Sequence, residues 1–222
     1  MYELAIFAGG MGSRLKNTEL RPKPFVDING KSLISRIINS FNYSGIFSAY
    51  HILTCCDDDN YSFILKNELP ELKINIYNEP TRSGRTGALK YFLGQNHSIN
   101  KFFVTNGDTL FSNICAEELK EGVEMNKSDL PITFLANPDP SRDDYFAFTN
   151  TNSEKLKNLQ NSGLFYISRR WLDKFVFIST HLKDIDYYLF SLKPPSISIQ
   201  LSTFLYDGGT PERLKQIREL IK

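Results

Sequence analysis

Glycines, an arginine and a lysine near the amino terminus are the residues whose types and spacing point to chemistry. A short apolar run, Leu4–Ala8, leads into Gly9-Gly10-Met11-Gly12-Ser13-Arg14-Leu15, and Lys23 follows between Pro22 and Pro24. A glycine-rich turn at the end of a buried strand exposes backbone N–H groups that can wrap an anion. A guanidinium and an ammonium held nearby supply the charge that a polyphosphate needs. The stretch therefore predicts a nucleoside-triphosphate site. It is not a P-loop, because no Gly-Lys-Ser/Thr closes it. It is not a dinucleotide fingerprint either, because Gly-x-Gly-x-x-Gly is absent.

Such a site needs strand ends to hold it. Leu4–Ala8, Tyr50–Thr54, Lys73–Tyr77 and Phe102–Thr105 are β-rich runs. Between them, Ser32–Ser44 carries Leu33, Ile34, Ile37, Ile38 and Phe41 at helical spacing, Asp58–Glu68 can form a helix, and Thr86–Leu93 follows a glycine-containing loop. Alternating strands and helices imply a Rossmann-like parallel sheet with right-handed crossovers, whose ligands lie at the carboxyl ends of the strands. The second half is less regular. Strands are predicted over Pro131–Ala136, Tyr145–Thr149, Leu164–Ile167 and Ile197–Leu201, and helices over Arg169–Phe175, Leu182–Leu192 and Pro211–Ile221.

Composition narrows the class. The 222 residues are 41% hydrophobic and 23% charged, enough for a sizeable core in one α/β domain. The net charge of +1 argues against a general nucleic-acid binder. Cys55, Cys56 and Cys115 lack metal-ligand spacing, and their odd count suggests reduced, buried thiols in a cytoplasmic protein. The first residues run straight into a strand, so no signal peptide is expected, and no apolar run approaches the ~20 residues of a membrane span.

Ala8-Gly9-Gly10-Met11-Gly12-Ser13-Arg14-Leu15, followed by Arg21-Pro22-Lys23-Pro24 and Gly30-Lys31-Ser32, resembles the signature of the sugar-1-phosphate nucleotidyltransferases. Ser13 stands where that family has Thr, and Ser32 where it has Pro. Asn106-Gly107-Asp108, Asn161-Ser162-Gly163 and Asp207-Gly208-Gly209-Thr210-Pro211-Glu212 resemble the family's later motifs, in the family's order. The resemblance implies a three-layer α/β/α fold with a mixed, mainly parallel sheet. It implies an enzyme that joins an NTP to a sugar 1-phosphate and releases pyrophosphate. Asp108 and Asp207 would hold Mg²⁺, a hard cation that needs only one or two carboxylates beside phosphate oxygens. Arg14 would stabilise the leaving phosphates, and Lys23 would bridge the α-phosphate and the sugar phosphate. Ala8 through Ser13, with Glu79, Thr86, Gly87 and Asn106, would line the nucleotide site. Asn161, Gly163 and Tyr145 would line the sugar site. Relatives often continue into a left-handed β-helix, so residues 1–222 are expected to be the catalytic domain alone. A homo-oligomer is compatible with it.

The base and the sugar are less settled. Glu79 could accept from both guanine N1–H and the 2-amino group. Gly84 through Leu89 resembles the short guanylyltransferases that act on heptose 1-phosphate for capsule or lipopolysaccharide. Thr86-Gly87-Ala88-Leu89-Lys90 and Pro24-Phe25-Val26-Asp27-Ile28 also resemble glucose-1-phosphate cytidylyltransferases, so CTP stays open. The family's Glu-Lys-Pro is replaced by Glu154-Lys155-Leu156, and its Tyr-Gly by Tyr145-Phe146. Lys155 or Lys157 could stand in for the missing cation. A catalytically silent NDP-sugar-binding regulator is the alternative that this altered region motivates.

Overall fold

The first strand, β1 (Tyr2–Phe7), buries Leu4, Ala5 and Ile6 completely. A strand apolar on both faces belongs in the middle of a covered sheet, and β1 pairs in parallel with a strand on each side. In the computed structural model, residues 1–10, 15, 22–55, 60–138, 159–177, 185 and 197–221 are described.

After β1, a 3₁₀ turn (Lys23–Phe25) leads to the small hairpin β2 (Asp27–Ile28) and β3 (Lys31–Ser32), then α1 (Leu33–Asn42). The chain continues through β4 (Phe47–Cys55), α2 (Asn60–Glu68), β5 (Ile74–Glu79), α3 (Gly84–Gln95), β6 (Lys101–Asn106), β7 (Thr109–Phe111), α4 (Ala116–Met125) and β8 (Ile132–Asn137). Next come β9 (Gln160–Ser168), the short α5 (Arg169–Trp171) passing into a π-helical turn (Leu172–Val176), β10 (Ile197–Asp207) and α6 (Pro211–Leu220). The eight-stranded sheet runs β5-β4-β1-β6-β9-β8-β10-β7. Only β9 and β7 run against the others, so the sheet is mixed and mainly parallel.

Alternation along the strands makes two cores. Leu4, Ile6 and Phe103 face the side covered by α1, α2, α4 and α6. Ala5, Phe102 and Val104 face the side covered by α3 and the turn after α5, through Leu89, Phe92, Trp171 and Leu172. This is the expected three-layer arrangement. Of the predicted helix over Asp58–Glu68, Asn60–Glu68 is helical and residues 58 and 59 lie outside the described residues; the one over Arg169–Phe175 changes to π geometry at Leu172. The Tyr145–Thr149 strand lies outside the described residues, as does Leu182–Leu192 apart from Ile185. Among the described residues no helix is long and apolar enough to cross a membrane. Cys55 is buried and Cys115 half-buried.

The decisive departure is β10. It extends six residues past the predicted Leu201 end because it bends. It pairs with β8 through Gln200 and, after a register shift, again at Phe204 opposite Asn137, whereas Leu205, Tyr206 and Asp207 pair with Phe111, Leu110 and Thr109 of β7. At the bend the ladder is interrupted, and buried backbone groups there need other partners. Ser202 N–H donates to the Glu118 carboxylate of α4 at 3.1 Å, and Asn113 N–H donates to Thr203 Oγ1 at 3.2 Å. The bend lets β7, which follows β6 almost immediately, reach the far end of the sheet.

Candidate active site at the carboxyl rim of the sheet

The ends of β1, β4, β5, β6 and β10 share one rim with the starts of β9 and β7. Ala8 N–H still donates to Leu53 O at 2.8 Å. Gly9 lies so close to β4 that a Cβ would sit 3.2 Å from Cys55 N, while at Gly10 a Cβ would meet nothing within 4 Å among the described residues. The turn is thus sealed at Gly9 and open at Gly10. Met11, Gly12, Ser13 and Arg14 lie outside the described residues.

Lys23 is projected from a stiff support. Pro22 and Pro24 restrict the backbone on either side of it, and Phe25, fully buried, stacks on Tyr61 with ring centroids 3.7 Å apart. The ammonium donates to Asp108 Oδ2. Asp108 arrives through Gly107, whose N–H donates to Phe7 O at 2.9 Å. A Cβ on Gly107 would lie 2.4 Å from that same oxygen, so only glycine lets the β6 end approach the glycine turn this closely.

Asp207 is brought beside this pair by the β10–β7 ladder, where it stands opposite Thr109. The next residue closes the link, because Gly208 N–H donates to Asp108 O at 2.8 Å. Arg213, in the first turn of α6, donates to Asp207 Oδ2 at 2.5 Å. Both acids line one cleft of about 200 Å³, together with Asn106, Thr109, Asn161 and Ser162. A larger cavity of about 450 Å³ between α1, β7 and α6 carries Lys31, Arg36 and Tyr43 but neither acid, and no glycine turn opens onto it. No group of three or more metal-type side chains occurs among the described residues. Two carboxylates converging on a polar cleft nevertheless match the oxygen chemistry of Mg²⁺, which completes its shell with phosphate oxygens and water.

Glu79 ends β5, three strand spacings from β6, or about 14 Å at the usual inter-strand distance. Its side chain is buried, and Ser83 Oγ donates to its Oε2 at 2.6 Å. Ser83 can fold back this way because Gly87 has no side chain; a Cβ there would lie 1.9 Å from Ser83 Oγ. Gly87 therefore makes room for Ser83, and the buried Thr86 sits beside it in the first turn of α3. Arg85 Nη1 donates to Asn106 Oδ1 at 3.2 Å, tying the start of α3 to the end of β6. Asn106 in turn covers Gly163, which has φ +69°; a Cβ there would lie 2.4 Å from the Asn106 amide nitrogen. Asn161 Oδ1 accepts from Gly163 N–H at 3.0 Å. Tyr145, Lys155 and Lys157 lie outside the described residues.

Residues 4–172 match the model of the MobA-like NTP transferase domain. The chain belongs to that family. This NTP transferase domain is 24% identical over 176 residues to the bifunctional protein GlmU of Methanococcus aeolicus, covering 77% of the chain and 41% of that relative. It thus spans about two fifths of the curated relative's length. HddC from Yersinia pseudotuberculosis has the same fold, with 24% identity, full coverage of both chains and a TM-score of 0.72; its structure with GMP-PN superposes at 0.73. A putative glucose-1-phosphate thymidylyltransferase from Bacillus anthracis reaches a TM-score of 0.78 at 17% identity, covering 98% of this chain and 94% of the other.

Several side chains of the NTP transferase domain's rim had no signal in the sequence. Ser83, Arg85 and Arg213 act through hydrogen bonds to Glu79, Asn106 and Asp207. Gln160, at the start of β9, also lines the acidic cleft, and its buried Oε1 has no hydrogen-bond partner among the described residues.

Proposed function

We propose that this NTP transferase domain joins a nucleoside triphosphate, with GTP preferred, to a sugar 1-phosphate of the heptose or hexose class, giving an NDP-sugar and pyrophosphate for glycan assembly such as capsule or lipopolysaccharide. The reading is carried by one observation: Lys23 touches Asp108, beside Asp207, on the rim where the glycine turn opens. Guanine is supported by Glu79 at the β5 end, held by Ser83 so that its carboxylate is oriented before the base arrives. The GMP-PN complex of HddC supports the same choice.

The reaction is an in-line attack of a sugar-phosphate oxygen on the α-phosphorus. Positioning and charge neutralisation supply most of such a rate enhancement. The backbone at Gly9 and Gly10 lets the phosphates approach. Lys23 leaves Asp108 for the α-phosphate and the incoming sugar phosphate, reducing the repulsion between two anions. Arg14 takes the charge that develops on the leaving pyrophosphate. Asp108 and Asp207 would hold Mg²⁺, which supplies Lewis-acid neutralisation of the α-phosphate when bound. Asn161 and Gln160 offer amide groups to sugar hydroxyls, with Gly163 keeping Asn106 in place beneath them.

The test is a matrix of four NTPs against a panel of hexose and heptose 1-phosphates, scored by pyrophosphate release. Turnover with GTP and one sugar 1-phosphate is expected. Preference for CTP would replace the guanine assignment, and nucleotide binding without turnover on any sugar would point to the regulator instead.

A further inference from the structure

We infer that Arg213 competes with a divalent cation for Asp207, so that the guanidinium sets how tightly the Asp108–Asp207 pair takes its metal. This rests on the reading of those two acids as metal ligands. Arg213 lies in the first turn of α6, where its backbone N–H donates to Thr210 Oγ1 at 3.4 Å. Its Nη1 holds Asp207 Oδ2 at 2.5 Å, with the two side chains only 20% and 29% exposed. The other carboxylate oxygen packs against Gly209, where a Cβ would lie 2.8 Å from Oδ1. One oxygen of Asp207 is therefore engaged by the guanidinium, and the absence of a side chain at Gly209 leaves room beside the carboxylate, where a Cβ would also lie 3.2 Å from Oδ2.

The neighbouring acid is in the same condition, since Lys23 holds Asp108. Two carboxylates and two cations leave this quartet with no net charge. A dication meets repulsion there that bare carboxylates would not present, and at partly buried sites such terms are weakly screened. The two cations differ in how they can leave. A triphosphate offers Lys23 a new set of acceptors next to the glycine turn. Arg213 instead sits behind Asp207, on the α6 side, and remains a standing brake on metal uptake before nucleotide arrives.

The measurement is Mn²⁺ binding to the nucleotide-free protein, followed by the electron paramagnetic resonance signal of free Mn²⁺. Arg213→Met should tighten binding by about tenfold or more, while Arg213→Lys, which keeps the charge, should stay near the wild type. Circular dichroism and urea unfolding establish that each variant is folded. A folded Arg213→Met that binds Mn²⁺ no more tightly than the wild type overturns the inference and leaves Arg213 as a group that merely orients Asp207. A separate arm protects the underlying reading. If Asp108→Asn and Asp207→Asn leave the signal of protein-bound Mn²⁺ unchanged with GTP present, the metal assignment itself fails, whatever Arg213→Met does.

Discussion

Lys23 donates to Asp108 across 85 residues of chain. The contact joins the proline-flanked turn after the first strand to the loop after the sixth. If the two act as a unit, Lys23→Ala should lower kcat/KM by about 10²–10³, the range seen when one preorganised charge is removed from a transition state. Asp108→Asn should abolish turnover while leaving the fold intact. The double variant should be no worse than Asp108→Asn alone, and pyrophosphate release from all three checks it.

Ser83 and Glu79 define the next expectation. Glu79→Gln replaces an acceptor pair by an acceptor and a donor, so a guanine edge loses about 1–3 kcal/mol of discrimination. The ratio of GTP to CTP turnover should then fall by about ten- to a hundredfold. Ser83→Ala leaves the carboxylate but removes the hydroxyl holding it at 2.6 Å, so the ratio should fall less. An unchanged ratio in Glu79→Gln removes Glu79 from base reading.

His51 gives the fold a pH dependence. It is buried in β4 near Tyr77 and Phe92, and its Nε2 lies 2.5 Å from Glu3 Oε2. Burial pushes the imidazole below its ordinary 6.5; Glu3 pulls it partly back and Lys73 pushes it further down. The folded chain then binds fewer protons than the unfolded one in the window below 6.5. Stability is full above that value and is lost as pH falls through the lowered folded value. Urea midpoints between about pH 8 and pH 5 should drop in the wild type, and His51→Phe should flatten the curve.

Ser32 links two helices. Its side chain caps α1 by accepting from Ser35 N–H. Its own N–H and hydroxyl both donate to Glu68 Oε2, at 2.9 and 2.6 Å, tying α1 to the end of α2. Ser32→Ala should destabilise the protein by about 1–2 kcal/mol. Ser32→Pro should cost more, because it removes the N–H as well. Urea unfolding measures both.

Much of the framework was legible residue by residue. Leu33, Ile34, Ile37, Ile38 and Phe41 repeat at helical spacing and do form the buried face of α1. The glycines after Leu4–Ala8 do follow a central strand, and polar loops do close the carboxyl ends of β1, β5, β6 and β10. The helix α4 buries only Leu119 and Gly122 of its ten residues, so its core-facing stripe is narrow. The full length of β10 was hidden. Ser202 and Thr203 interrupt its apolar run, and it continues only because Glu118, Ser112 and Asn113 come from elsewhere in the chain to bond the bend.

Residue types and their local periods were enough for the glycine turn and the central strands, since those depend on neighbours within a few positions. Tertiary structure alone decided that Asp207 stands beside Asp108 and that Lys23 reaches Asp108. The reason is that strand order and a bend in β10 are settled by how whole apolar faces bury against each other, and no short stretch of sequence contains both sides of such a contact.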